Sequence, residues 1–280
     1  MYDFFLGTVD EIERDELRYL IAVKRMTPRW INSMPDSEFI ALCMLLDEQG
    51  VSCRSKGVPF VCIETGAGAS SLALAYFAAK YQGTAFSWDM NSAKGSAVRQ
   101  VLSETVSMHF GIESSHYWKL VAANSLSPYL GLNILSDLCD SPALSFHDSE
   151  HTWSVLGKEL ELVAPRLRSG AVIALDDANL QWNDVNIGYA NTFRRKLGLP
   201  DVVSPLGNVG EPFHVRCDAF LRGVFVESKP IDDYYKLHYA SDPYFAYFGA
   251  EYDIKASLGT ERSDALDHRF DAWRVGGWRG

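Results

Sequence analysis

From Pro59 onward, short apolar runs alternate with longer stretches in which apolar residues recur every three or four positions, and each run ends in small or acidic residues. Short apolar runs bounded by turn formers read as buried strands and the stretches between them as helices, which is the pattern of serial βα units. The first unit is Phe60-Val61-Cys62-Ile63 with a helix from Ser71 to Lys80; the second is Ala85-Phe86-Ser87-Trp88, ending at Asp89, with a helix from about Ser96 to Phe110. Lys119 to Ala123 form a third run that ends at Asn124-Ser125, and Ala143 to His147 a fourth that ends at Asp148. Val155, Leu156, Leu160, Leu162 and Val163 then keep helical spacing until Pro165 and Ser169-Gly170 stop the segment. A fifth strand, Ala171 to Leu175, runs directly into Asp176-Asp177. Five such units in series predict a mostly parallel, doubly wound α/β sheet covered on both faces.

The flanks differ. Residues 9–50 carry two helical stripes, Ile12, Leu17, Leu20, Ile21 and Val23, then Phe39, Leu42, Leu45 and Leu46, broken by Pro28 and Pro35. They predict a helical cap over residues 1–57, ahead of a ligand-binding core at 58–228. After Gly198, Val202-Val203 and the run Ala219 to Val226 read as two closing strands, a terminal antiparallel hairpin. Residues 229–280 are rich in aromatic and charged residues with weak periodicity and read as an extension packed on the core or on a partner subunit.

With 280 residues, 47% of them hydrophobic, the chain can bury one large core. Its 26 basic against 36 acidic residues argue against a nucleic-acid or anionic-membrane surface and favour small-molecule ligands. The five cysteines lack paired zinc-site spacing and read as reduced thiols. Met1 to Phe5 lack a basic leader, and no window approaches the ~18 apolar residues of a membrane span. A cytoplasmic protein is expected, with homo-oligomer formation left open by the aromatic C-terminal region.

In an open parallel sheet, ligands bind beyond the carboxyl ends of the strands. The first strand ends in Glu64-Thr65-Gly66-Ala67-Gly68, whose glycines permit a tight turn, and Asp89 closes the second strand 23 residues after Gly66. An acid at that spacing can accept hydrogen bonds from both hydroxyls of a ribose. These residues resemble the class I S-adenosylmethionine-dependent methyltransferases, whose first motif is an acid followed by alternating glycines. The resemblance implies a seven-stranded Rossmann-like methyltransferase fold with S-adenosylmethionine as cofactor. It puts Glu64, Thr65, Gly66, Ala67 and Gly68 around the methionine end, Asp89 on the ribose, Met90 near the adenine and Asn124-Ser125 bordering it. Ser70 stands where the family often has another glycine.

Phe146-His147-Asp148-Ser149-Glu150-His151 at the fourth strand end, and Asp176-Asp177 at the fifth, bring three carboxylates to adjacent strand ends, a donor set suited to Mg²⁺. Strand alternation turns His147 away from Asp148 and marks it as structural. The spacing resembles the metal-dependent small-molecule O-methyltransferases, including those acting on macrolide sugars and other natural products. It implies Asp148, Asp176 and Asp177 as metal ligands, His151 as general base (or, without a metal, His151 or Asp148 alone), and a hydroxylated small molecule as acceptor. Asp148 and Asp177 could also simply cap the helices that follow them. A nicotinamide-dependent oxidoreductase would share the glycine loop and Asp89 but leaves Glu64 and the acid cluster unexplained; a non-catalytic nucleoside-binding protein is the third reading.

Overall fold

The computed structural model describes residues 7–28, 30–32, 34, 36–139, 141–150, 152–176, 178, 195, 198, 213–231 and 270–280. Among the described residues, three helices come first: α1 (Val9–Arg14), α2 (Glu16–Met26) and α3 (Asp36–Lys56). A capping box starts α1, with Glu11 N–H donating to the Thr8 hydroxyl and Thr8 N–H to the Glu11 carboxylate, and Asp15 caps α2 by accepting from Arg18 N–H. Where α2 meets α3, the buried Asp36 carboxylate accepts from Lys24 Nζ at 2.6 Å and Arg25 Nε at 2.7 Å. This charge-assisted fork fixes the turn between them.

The βα series follows: β1 (Val61–Thr65), α4 (Ala69–Lys80), β2 (Thr84–Trp88), α5 (Ser92–Val101), β3 (Trp118–Val121), β4 (Leu144–His147), α6 (Trp153–Val163) and β5 (Val172–Leu175). Beyond α5 the helix widens into a π-helical stretch, Leu102–Ser107, and ends at Phe110, where Gly111 adopts the left-handed conformation. The chain then adds α7 (Phe213–Val224), β6 (Ser228–Pro230) and β7 (Asp271–Val275).

The seven strands form one sheet in the order β3-β2-β1-β4-β5-β7-β6. β1 to β5 pair in parallel, while β7 lies antiparallel to both β5 and β6. Every residue of β1, β4 and β5 is buried, as expected of parallel strands covered on both faces. One face packs on α4, buried along nearly its whole length beneath α3; the other packs on α6 and α7.

The five parallel strands and the doubly wound sheet stand where the apolar runs put them. The closing strands do not. Ala219 to Val224 belong to α7, because Phe213, Cys217, Leu221 and Phe225 bury one stripe at four-residue spacing, a helical period that the run 219–226 taken alone conceals. The antiparallel pair is instead β6 with β7, so a piece of the 229–280 segment is a strand of the central sheet, and Trp273 of that segment is buried in it. Val202-Val203 lie outside the described residues.

Candidate functional site

β1 to β4 end along one edge of the sheet, and a cavity of about 390 Å³ opens there. Gly66, Trp88, Asp89, Met90, Lys94, Asn124, Ser125, Asp148, Ser149 and Glu150 contribute to its walls. Five of the residues expected to bind a cofactor, Gly66, Asp89, Met90, Asn124 and Ser125, thus come together with Asp148 around one space.

The glycine loop is shaped by its neighbours. Gly66 has φ +88°, a left-handed conformation, and a Cβ there would come within 1.7 Å of the Asp148 carbonyl oxygen. A Cβ on Gly68 would come within 2.9 Å of the Ile31 carbonyl oxygen. The space each glycine vacates is therefore filled by the β4 loop and by the helical cap. Four successive N–H groups are also used internally: Gly66 donates to Trp88 O at 2.8 Å, Ala67 to Asp89 Oδ2 at 3.0 Å, Gly68 to Ser71 Oγ at 3.1 Å and Ala69 to Ile31 O at 3.0 Å. A pyrophosphate-binding loop presents such donors to its ligand. This loop keeps all four.

Asp89 is held on both oxygens, Oδ2 by Ala67 N–H and Oδ1 by Asn91 N–H at 2.7 Å, with Lys94 Nζ 3.5 Å from Oδ2. Each carboxylate oxygen has a second lone pair, so the group stays able to accept from ribose hydroxyls. Met90, mostly exposed, and Asn124 meet across the cavity rim, with Asn124 Nδ2 3.7 Å from Met90 Sδ.

Glu64 sits below this surface. Fully buried, it accepts from Ser70 Oγ at 2.6 Å and from the hydroxyls of Ser71 and Ser87, and it does not line the cavity. Burial pushes its carboxyl up to about 7, with the three serine hydroxyls pulling the other way. It thus clamps the first turn of α4 to β2. Thr65 also points inward, donating to Glu159 Oε2 at 2.9 Å. Ser125 and Ser149 line the cavity but turn their hydroxyls to Glu159 Oε1, at 2.5 and 2.8 Å. Glu159 and its buried partner His147, whose Nδ1 lies 3.0 Å from Oε2, were not singled out as functional. The available signal was an acid at position 159 on the stripe formed by Leu156, Leu160 and Val163.

The acid cluster is partly described. Asp148 N–H donates to Thr65 O at 2.9 Å and Asp176 N–H to His147 O at 3.1 Å, so the two acids leave neighbouring strands in step. Asp176 is buried, and its Oδ1 has no hydrogen-bond partner among the described residues. Among those residues no group of three acids, histidines or cysteines is close enough to hold a metal. Asp177 and His151 lie outside the described residues.

Residues 63–178 match a family model described as a methyltransferase domain. That match runs from within β1 to just past β5. No curated protein sequence matches the chain. Among solved structures, an O-methyltransferase from Bacillus cereus in complex with SAH is 12% identical, with 98% of this chain and 100% of that one covered and a TM-score of 0.51, a likeness of fold. The O-methyltransferase TomG of Streptomyces achromogenes, involved in tomaymycin synthesis and bound to SAM, is 17% identical over 94% of this chain and 91% of that one, at a TM-score of 0.48. Among the described residues, no helix is long and apolar enough to cross a membrane.

Proposed function

We propose that this chain transfers a methyl group from S-adenosylmethionine to a hydroxyl of a small molecule. The observation that carries the reading is the strand-end cavity of the methyltransferase domain, which offers Asp89 as a ribose acceptor beside a glycine loop whose N–H groups are already used. Its volume lies in the usual range for small-molecule sites, roughly 300–1,000 Å³. S-adenosylmethionine would supply an activated sulfonium methyl. Gly66 to Gly68 would border its methionine end, Asp89 would accept from the ribose hydroxyls, and Met90 with Asn124 and Ser125 would flank the adenine.

At the acceptor side, the side-by-side acids and the Asp176 oxygen that has no partner among the described residues suit a hard cation. Asp148, Asp176 and Asp177 would hold Mg²⁺, which lowers the pKa of a nearby hydroxyl. His151 would take the acceptor's proton on an imidazole nitrogen, and the rigid strand ends would hold the acceptor in line with the methyl.

Calorimetric titration of the chain with S-adenosylmethionine, S-adenosylhomocysteine and NAD, each with and without Mg²⁺, tests the reading. The sulfur nucleosides should bind and NAD should not. Asp89→Ala should weaken that binding about tenfold or more, the scale of a lost hydrogen bond to a charged group. Binding of NAD alone, or undiminished affinity in the variant, would overturn it.

A further inference from the structure

Glu159 rises from α6 into the underside of the site, is 0% exposed, and accepts four hydrogen bonds. Thr65 Oγ1 (2.9 Å) and His147 Nδ1 (3.0 Å) reach Oε2; Ser125 Oγ (2.5 Å) and Ser149 Oγ (2.8 Å) reach Oε1. Both oxygens are therefore filled to their ordinary capacity of two. His147 is fixed in turn by Ser145 Oγ, 2.8 Å from Nε2.

The four donors come from three different strand ends. Thr65 precedes Gly66 at the end of β1, Ser125 follows β3, and His147 and Ser149 flank Asp148 after β4. Gly66, Ser125, Asp148 and Ser149 all line the cavity. Each is therefore either bonded to Glu159 or next in sequence to a residue that is.

Burying a carboxylate costs several kcal/mol unless it is fully hydrogen-bonded, and an apolar residue on this stripe would complete the core without that cost. Burial raises the Glu159 carboxyl, but the bonds from His147, Ser125 and Ser149 outweigh it and hold the group below the usual range. The ionised form is thus the one these donors are arranged around. The loops after β1 and β4 also meet directly, through Asp148 N–H to Thr65 O, but Glu159 is the acceptor that side chains from the ends of β1, β3 and β4 share.

We propose that Glu159 is a positioning residue that fastens the loops after β1, β3 and β4 to one buried carboxylate and so sets the shape of the ligand cavity. That it acts on a cofactor rests on the function proposed above; that it holds the three loops does not.

Two readouts separate these claims. In the ligand-free protein, Glu159→Gln should speed hydrogen exchange at residues 66–68, 123–127 and 148–150 together, about tenfold, as expected if their shared anchor opens. Ser149→Ala, a milder variant that removes one donor, should speed only residues 148–150. A reference is Asp47→Asn, which removes the charge from the acceptor of Lys80 Nζ (2.8 Å) and Tyr81 OH (2.5 Å) between α3 and α4, away from the cavity; it should lower the melting temperature without speeding the three loops. Exchange that stays unchanged in Glu159→Gln, or rises in one loop alone, overturns the anchor. In the second readout, S-adenosylhomocysteine should bind Glu159→Gln about tenfold more weakly than wild type, measured well below the melting temperature, while Asp47→Asn binds normally. Equal affinity would overturn the effect on the cavity. Failure of the wild type itself to bind S-adenosylhomocysteine would overturn the cofactor reading and leave the exchange result to decide the anchor.

Discussion

Two acids at this strand edge, Glu64 and Glu159, are equally buried but oppositely tuned, because burial outweighs the three serine hydroxyls and Lys94 around Glu64, whereas Glu159 also faces an imidazole. For Glu64 the folded pKa, about 7, lies above its ordinary 4.5. Its contribution to stability is then fully present below about pH 4.5 and is lost as pH rises through about 7, a drop on the order of 3 kcal/mol by linkage. Glu64→Gln removes that titration, so its urea midpoint should fall less than that of wild type between pH 4.5 and pH 8. Parallel midpoints across that range would show that Glu64 titrates alike in both states. The residue type of Glu64 and its place before the glycines were legible in the sequence, but its orientation was not. Which donors a side chain meets depends on Ser70, Ser71 and Ser87 arriving from two other elements. Glu159 was harder still, because a single acid within a helical stripe carries no motif until its four donors are seen to converge.

Among elements, the parallel strands were legible because each is a short, mostly apolar run closed by turn formers or acids, and β1, β4 and β5 are buried throughout. The helices between them kept their places with small shifts at the ends: α4 starts at Ala69 rather than Ser71. The stretch read as one helix to Phe110 contains the π-helical turn at 102–107, which apolar spacing alone does not reveal. The error at 219–226 has a physical origin, since an apolar run of that length suits either a strand or the end of a helix. The deciding residues, Phe213 and Cys217, stand before the run. If α7 is held by that stripe, Leu221→Ala should destabilise the protein by about 2–5 kcal/mol, as for other large-to-small changes in a packed core. A loss below ~1 kcal/mol in chemical denaturation would mean that the stripe contributes little.

For the molecule as a whole, β7 joins residues remote in sequence: Val172 pairs with Arg274 and Leu175 with Asp271, and Trp273 Nε1 donates to Asp218 of α7 at 3.3 Å. A chain cut before Phe270 should therefore expose the edge of β5, melt at a lower temperature and aggregate, an outcome that calorimetry and light scattering would read directly. Unchanged melting and a monomeric profile would show that the first five strands suffice.

The position of β7 inside the sheet, between β5 and β6, also bears on how the protein is made. The strand of this sheet that comes latest in the sequence is not laid on the outside but inserted between two that emerge earlier. At ~5–20 residues per second, β5 waits seconds for its neighbour, and β6, whose partner among the described residues is β7, waits with it. During synthesis the nascent chain therefore has an open sheet edge for longer than a chain whose strands are added in spatial order. That interval is when a chaperone has most to protect.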